Sequence, residues 1–214
     1  ISGQRGIGKF EFARRFAESL LCEKPTLSSE ACGECAACGW MKQGNHPDFR
    51  LLQPDALAEE ETEVADSSGK KKPSQQITID QIRDLDEFLH VGTHRQGVRI
   101  VLVYPAEAMN RATANAILKS LEEPIPGTVF LLVSSEPERL LPTIRSRCQR
   151  LALNAPATAV ALQWLRQQPG AEAAEPIHLL LNHGAPLRAL EYLNTGRDPQ
   201  RKALFSALAD YLTA

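Results

Sequence analysis

Apolar residues recur along the chain in two registers. At three-and-four spacing, Ala13, Phe16, Ala17, Leu20 and Leu21 share one face of a helix predicted from about Lys9 into Cys22. Two short runs rich in β-branched residues, Val98 to Val103 and Val129 to Val133, predict strands buried on both faces of a parallel sheet. Between them, Ala114, Ile117, Leu118 and Leu121 mark an amphipathic helix closed by Pro124. Strand, helix and strand in this order imply a right-handed crossover. The fold class is α/β with a parallel sheet. His46-Pro47-Asp48 is read as a turn leading into another strand, Phe49 to Leu52, in preference to a catalytic pair.

Beyond Asn154-Ala155-Pro156 only helical patterns remain: Val160 to Leu165, Ile177 to Leu181, Leu187 to Leu193 and Ala203 to Leu212. They predict a second, all-helical domain over residues 155–214, after a first domain over residues 1–154. The stretch 55–76 carries Glu59, Glu60, Glu61, Glu63 and Asp66, then Ser67, Ser68, Gly69 and Lys70 to Lys72, with few apolar side chains. It is expected to be a mobile surface loop, with an electrostatic contact for a partner as its functional alternative.

Composition narrows the classes further. The 214 residues are 43% hydrophobic, enough for real cores, and 24 basic against 26 acidic residues leave a net charge of −2. Such a balance demands no polyanionic partner, so any DNA contact is local or shared with other chains. No apolar run reaches about eighteen residues and no secretion signal opens the chain, so no membrane association is expected and a cytoplasmic location is. Ile1 stands almost directly before a glycine loop of the kind that leaves a strand, so the chain is read as beginning inside a domain.

That loop, Gly3-Gln4-Arg5-Gly6-Ile7-Gly8-Lys9, follows the phosphate-binding pattern through its lysine. There backbone N–H groups and a helix N-terminus cradle phosphate oxygens. The next position needs a Ser or Thr hydroxyl for magnesium and holds Phe10. A second magnesium contact, an acidic residue ending a buried strand, is also missing, because Val98 to Val103 runs into Tyr104-Pro105-Ala106-Glu107. Glu107 is the nearest carboxylate, and it lies too far along the turn to be equivalent. Gly3, Gly6, Gly8 and Lys9 are therefore read as a vestigial phosphate loop. ATP hydrolysis is not expected, and ATP binding by this chain is in question.

Cys22, Cys32, Cys35 and Cys38 form a C-x9-C-x2-C-x2-C array. In a reduced compartment thiols do not pair into disulfides, and four thiolates complete a closed tetrahedral zinc site with no position left for water. The reading is structural zinc; free buried cysteines or an iron–sulfur cluster are the alternatives. Cys148 stands apart and is expected to be a packed thiol.

Asn115-Ala116-Ile117-Leu118-Lys119-Ser120-Leu121-Glu122-Glu123-Pro124, then Val129 to Val133, then Ile144-Arg145-Ser146-Arg147-Cys148, resembles the clamp-loader branch of the AAA+ ATPases. The resemblance covers nearly the whole chain. It implies an AAA+ P-loop domain followed by a small helical lid, with the branch's C-terminal collar domain outside the chain. Tyr104-Pro105 then stands where active members carry Asp-Glu. In Gly184-Ala185-Pro186-Leu187-Arg188, Leu187 takes the place of a nucleotide-sensing arginine, with Arg188 one residue on. The resemblance assigns Arg147 as an arginine finger given in trans to the ATP of a neighbouring subunit. A defective ATP site beside a cysteine cluster and an intact Ser-Arg-Cys resembles the inactive subunit of such assemblies rather than the active gamma and tau subunits. Implied partners are gamma or tau, delta, a sliding clamp, and primed DNA through the assembled complex. Two competing readings remain: a weak ATPase using Lys9 and Glu107, and a zinc-ribbon nucleic-acid module, for which Glu30, Glu34 and Lys42 supply no basic cluster.

Overall fold

Alternation of side chains across each strand assigns every apolar residue of the sheet to one of two cores. The computed structural model describes residues 1–61, 73–91, 93 and 97–213 and resolves two units, residues 1–2 with 10–152 and residues 3–9 with 153–214. In chain order the first unit runs α1 (Lys9–Leu21, whose first residue groups with the second unit), α2 (Ala36–Lys42), β1 (Phe49–Leu52), α3 (Asp55–Glu61) and α4 (Ile79–His90). It continues with β2 (Arg99–Val103), α5 (Arg111–Glu122), β3 (Thr128–Leu132) and α6 (Pro142–Arg147).

The strands pair in parallel in the order β1-β2-β3, with Phe49 opposite Ile100 and Ile100 opposite Val129. All of β2 is buried, as its continuous apolar run predicts. Val101 and Val103 face one core with Leu52, Leu132, Ile82, Leu85, Ile117 and Ile144, which brings in α4, α5 and α6. Ile100 and Leu102 face the other with Ala13, Ala17, Leu21 and Met41, which brings in α1 and α2. Ser2 bridges Ser134 and Ala152, so the chain start runs beside the sheet just past β3. At the mouth of β2, buried Arg99 donates to the carbonyls of Leu89 and Val91, closing the C-terminal end of α4.

Two expectations change. Phe16 belongs to the predicted apolar face of α1, yet it is 43% exposed and stacks on Phe12. Residues 55–61, expected in a loop, form α3, because Ala and Glu favour helix where no core is needed; of the remainder of that stretch, 62–72 lie outside the described residues and 73–76 form no helix or strand. His46-Pro47-Asp48 is the expected turn: the Asp48 N–H donates to His46 Nδ1 at 3.0 Å and the Phe49 N–H to the His46 carbonyl at 3.2 Å.

The second unit contains α7 (Thr158–Arg166), α8 (Pro176–Leu181), α9 (Pro186–Asn194) and α10 (Arg197–Thr213) around Ala161, Leu165, Leu179 and Ala189. Residues 3–9 group with these helices rather than with the sheet, which departs from a boundary at 154.

Candidate functional site

Two of the three loop glycines, Gly3 and Gly6, answer to packing, whereas a Cβ on Gly8, at φ +91°, would meet nothing within 4 Å. A Cβ on Gly3 would lie 2.3 Å from the Leu153 carbonyl oxygen. At Gly6 φ is +83°, and a Cβ there would meet the Arg188 Cγ at 2.5 Å. The Leu187 N–H donates to the Gly6 carbonyl at 3.0 Å, which docks the loop on the first turn of α9. The side chain lying against the loop is thus Arg188, whereas Leu187 is exposed; the expected sensor position keeps a basic side chain near the loop, shifted by one residue. Lys9 is buried, and its amine donates to the Gln4 carbonyl at 2.7 Å.

The two positions expected from the motif to reach magnesium meet each other in the first unit. Phe10 and Tyr104 stack with ring centroids 4.6 Å apart, and both rings pack on the Ile100–Leu102 core. Such a pair contributes about 0.5–1.5 kcal/mol beyond its buried area. Two substitutions 94 positions apart are therefore one apolar contact. Glu107 is also engaged, its Oε1 accepting the Ser135 N–H at 3.0 Å.

The four cysteines converge. Their sulfurs all lie within 4.8 Å of one another, with Cys22 to Cys35 and Cys32 to Cys38 at 3.9 Å and Cys22 to Cys38 at 3.7 Å. A tetrahedral four-thiolate site with bonds of about 2.3 Å separates its sulfurs by about 3.8 Å, so the donor set fits a metal ion. Cys35 caps the N-terminus of α2, its sulfur accepting the Cys38 N–H. The Cys32 N–H likewise donates to Cys22 Sγ at 3.3 Å and the Cys35 N–H to Cys32 Sγ at 3.4 Å. Burial opposes ionisation of Cys35, but the N–H donors of Cys38 and Glu23 prevail and bring its pKa down to about 6. At Cys38 burial dominates, helped by the neighbouring thiols, and pushes the value up to about 12. Cys22 follows Leu21 at the end of α1, and Cys38 shares α2 with Met41 of the sheet core, so an ion here ties α2 to α1.

Arg147 ends α6. Its Nη1 donates to the Thr143 carbonyl at 2.9 Å, and its Nη2 lies 2.6 Å from Glu122 Oε1 at the end of α5. The side chain is 35% exposed at the rim of an apolar groove of about 850 Å³ lined by Phe12, Phe16, Leu121, Phe130, Leu140 and Ile144. Cys148 packs against the α4–α6 core, and burial raises its pKa, as a packed thiol requires. No helix among the described residues is long and apolar enough to cross a membrane.

Residues 1–157 match a family profile described as DNA polymerase III, delta subunit. The chain is 44% identical over 203 residues to the DNA polymerase III subunit delta' of Pseudomonas aeruginosa, covering 94% of this chain and 57% of that protein. Against the same subunit of Haemophilus influenzae it is 35% identical, covering 94% and 56%, and against that of Escherichia coli K12, 33%, covering 98% and 58%. The chain thus spans little more than half the length of these relatives. A crystal structure of a DNA polymerase III gamma subunit-related protein from Thermotoga maritima superposes with a TM-score of 0.54 at 22% identity, over 90% of this chain and 52% of that one. The likeness is one of fold, and the α/β class with a parallel sheet expected from the periodicity is the class found.

Proposed function

We propose, from the premise that this chain belongs to the DNA polymerase III delta-subunit family, that it works as a non-catalytic clamp-loader subunit of the delta-prime kind. In this reading it is a stator in the replicative polymerase holoenzyme. It joins gamma or tau and delta subunits in a cytoplasmic hetero-oligomer that uses ATP to load a sliding clamp onto primed DNA. The carrying observation is the Phe10–Tyr104 stack, two aromatic rings at the positions read as those from which a P-loop ATPase reaches magnesium with a hydroxyl and a carboxylate. Against the weak-ATPase alternative, both of its candidates are engaged within the chain, Lys9 with the Gln4 carbonyl and Glu107 with the Ser135 N–H.

The chemistry this chain contributes is given to a neighbour. A guanidinium at the end of α6, beside an apolar groove suited to burial by another subunit, presents a planar fork to phosphoryl oxygens whose charge rises in the transition state. Zinc at Cys22, Cys32, Cys35 and Cys38 is structural: four thiolates leave no open coordination position.

The test uses the full-length protein assembled with its partners. Arg147→Ala leaves the complex intact by gel filtration. It lowers DNA-stimulated hydrolysis partially and clamp loading more, because an arginine finger is worth roughly 10³- to 10⁵-fold at the one site it serves. Arg147→Lys rescues poorly, since an ammonium lacks the fork. An intact Arg147→Ala complex with wild-type hydrolysis and loading refutes the proposal.

A further inference from the structure

A finger at the end of a long, half-exposed side chain is useful only if something fixes its direction. Among the described residues Arg147 has a single cross-element anchor. Thr143 and Ser146, which contact its Nη1 at 2.9 and 3.4 Å, belong to its own helix α6, and Glu122 comes from α5. The other arginines of this surface pair differently: Arg145 bonds Glu138 and Arg139 bonds Glu136, both from the stretch just ahead of α6.

The backbones on either side of this ion pair are held by one core. Ile117 of α5 and Ile144 of α6 are both fully buried in it, and the residues adjoining the pair, Leu121 and Cys148, pack against the same cluster. The carboxylate is therefore delivered to a fixed place, and the guanidinium that meets it inherits that place. Those contacts engage at most three of the five N–H donors of a guanidinium, which leaves at least two for a phosphoryl oxygen. The pair is also half exposed, at 35% and 47%, so solvent keeps it weak enough to yield part of its geometry to an incoming anion.

We infer that Glu122 is the positioning residue for Arg147, aligning its guanidinium before a phosphate-bearing neighbour docks. The inference rests on the reading of Arg147 as a finger given in trans. Glu122 touches no reacting atom; it removes the rotamer freedom that the arginine would otherwise lose at the moment of reaction.

The decisive experiment is a double-mutant cycle in the full-length protein, assembled with gamma or tau, delta, clamp and primed DNA. Hydrolysis is followed against ATP concentration for Arg147→Ala, Glu122→Ala, Glu122→Gln and the Glu122→Ala/Arg147→Ala double variant, with gel filtration as the assembly control. Glu122→Ala is expected to lower kcat by at least half of the loss seen with Arg147→Ala, with KM unchanged. Glu122→Gln, which keeps an acceptor oxygen, is expected to fall between Glu122→Ala and wild type. In the Arg147→Ala background Glu122→Ala adds nothing, because it acts only through that arginine. If Arg147→Ala is slow while Glu122→Ala matches or exceeds wild type, the finger stands and the positioning role is wrong; a faster Glu122→Ala would make the pair a restraint. Additive losses also overturn it, since Glu122 then acts elsewhere. If Arg147→Ala itself has no effect in an intact complex, the finger reading fails and takes the role of Glu122 with it. Should Glu122→Ala fail to assemble, Glu122→Gln decides, and an assembled Glu122→Gln complex with wild-type kcat overturns the inference.

Discussion

The cysteine module and the phosphate loop are both short motifs whose spacing advertises an ion-binding site, and they differ in what stands behind the spacing. In the module every donor is present and convergent, with all four sulfurs within 4.8 Å of one another. Around the loop the glycine spacing and Lys9 are kept, while the side chains expected to reach magnesium are not. Gly3 and Gly6 are required by close approach to Leu153 and Arg188, and the ligand positions hold a stacked Phe10 and Tyr104. A glycine pattern therefore reports a tight turn against a neighbouring helix as readily as it reports a phosphate. Four convergent thiols, by contrast, offer a complete donor set for a metal ion.

The comparison breaks most visibly at the metal. The purified protein is expected to carry about one zinc per chain by metal analysis, and Cys35→Ser or chelation should lower stability by several kcal/mol, because binding here is folding energy. A folded, reduced, metal-free sample would refute the module's role. Acid sharpens the contrast, since protons compete with metal for thiolates, so zinc should be released as pH falls while the helical unit is still intact.

The aromatic pair comes next. Phe10→Ala and Tyr104→Ala should each cost about 2 kcal/mol, less than a fully buried aromatic because both rings are half-buried. Their coupling in a double-mutant cycle should be about 1 kcal/mol. Zero coupling in urea unfolding would mean that the two positions are independent defects rather than one contact.

The smallest effect lies in the helical unit. Buried Asp198 is bonded by Lys202 at 2.7 Å and Arg201 at 3.0 Å. The Lys202 bond, more than the burial that opposes it, brings its pKa down to about 2. A depressed folded-state pKa contributes stability above the unfolded value of about 3.9 that is lost as pH falls toward 2. Because both cationic partners are partly exposed, Asp198→Asn should cost only about 1 kcal/mol at neutral pH and nothing near pH 2. An equal cost at both pH values would count against this assignment.

Much of this was legible in the sequence. The strands, α5 and the helices of the second unit follow from apolar periodicity, and the cysteine spacing picked out the four residues whose sulfurs converge. What escaped depended on distance along the chain. The Phe10–Tyr104 stack and the Glu122–Arg147 pair join elements far apart in sequence, and grouping residues 3–9 with the helical unit needs the close approach of Gly3 to Leu153. Helix α4 is the exception, written locally both in the spacing of Ile79, Ile82, Leu85, Phe88 and Leu89 and in its cap. Thr78-Ile79-Asp80-Gln81 is a capping box, in which the Gln81 N–H donates to Thr78 Oγ1 and the Thr78 N–H to Gln81 Oε1.

The central claim, a nucleotide loop without its chemistry, is tested most directly by ATP hydrolysis with magnesium, comparing the purified protein with its Lys9→Ala variant. The account predicts that neither exceeds background and that the two are indistinguishable, since Phe10 offers no hydroxyl and Tyr104 no carboxylate at the positions from which a P-loop holds magnesium. Turnover by the wild-type protein that Lys9→Ala abolishes would contradict it and establish this chain as a working ATPase.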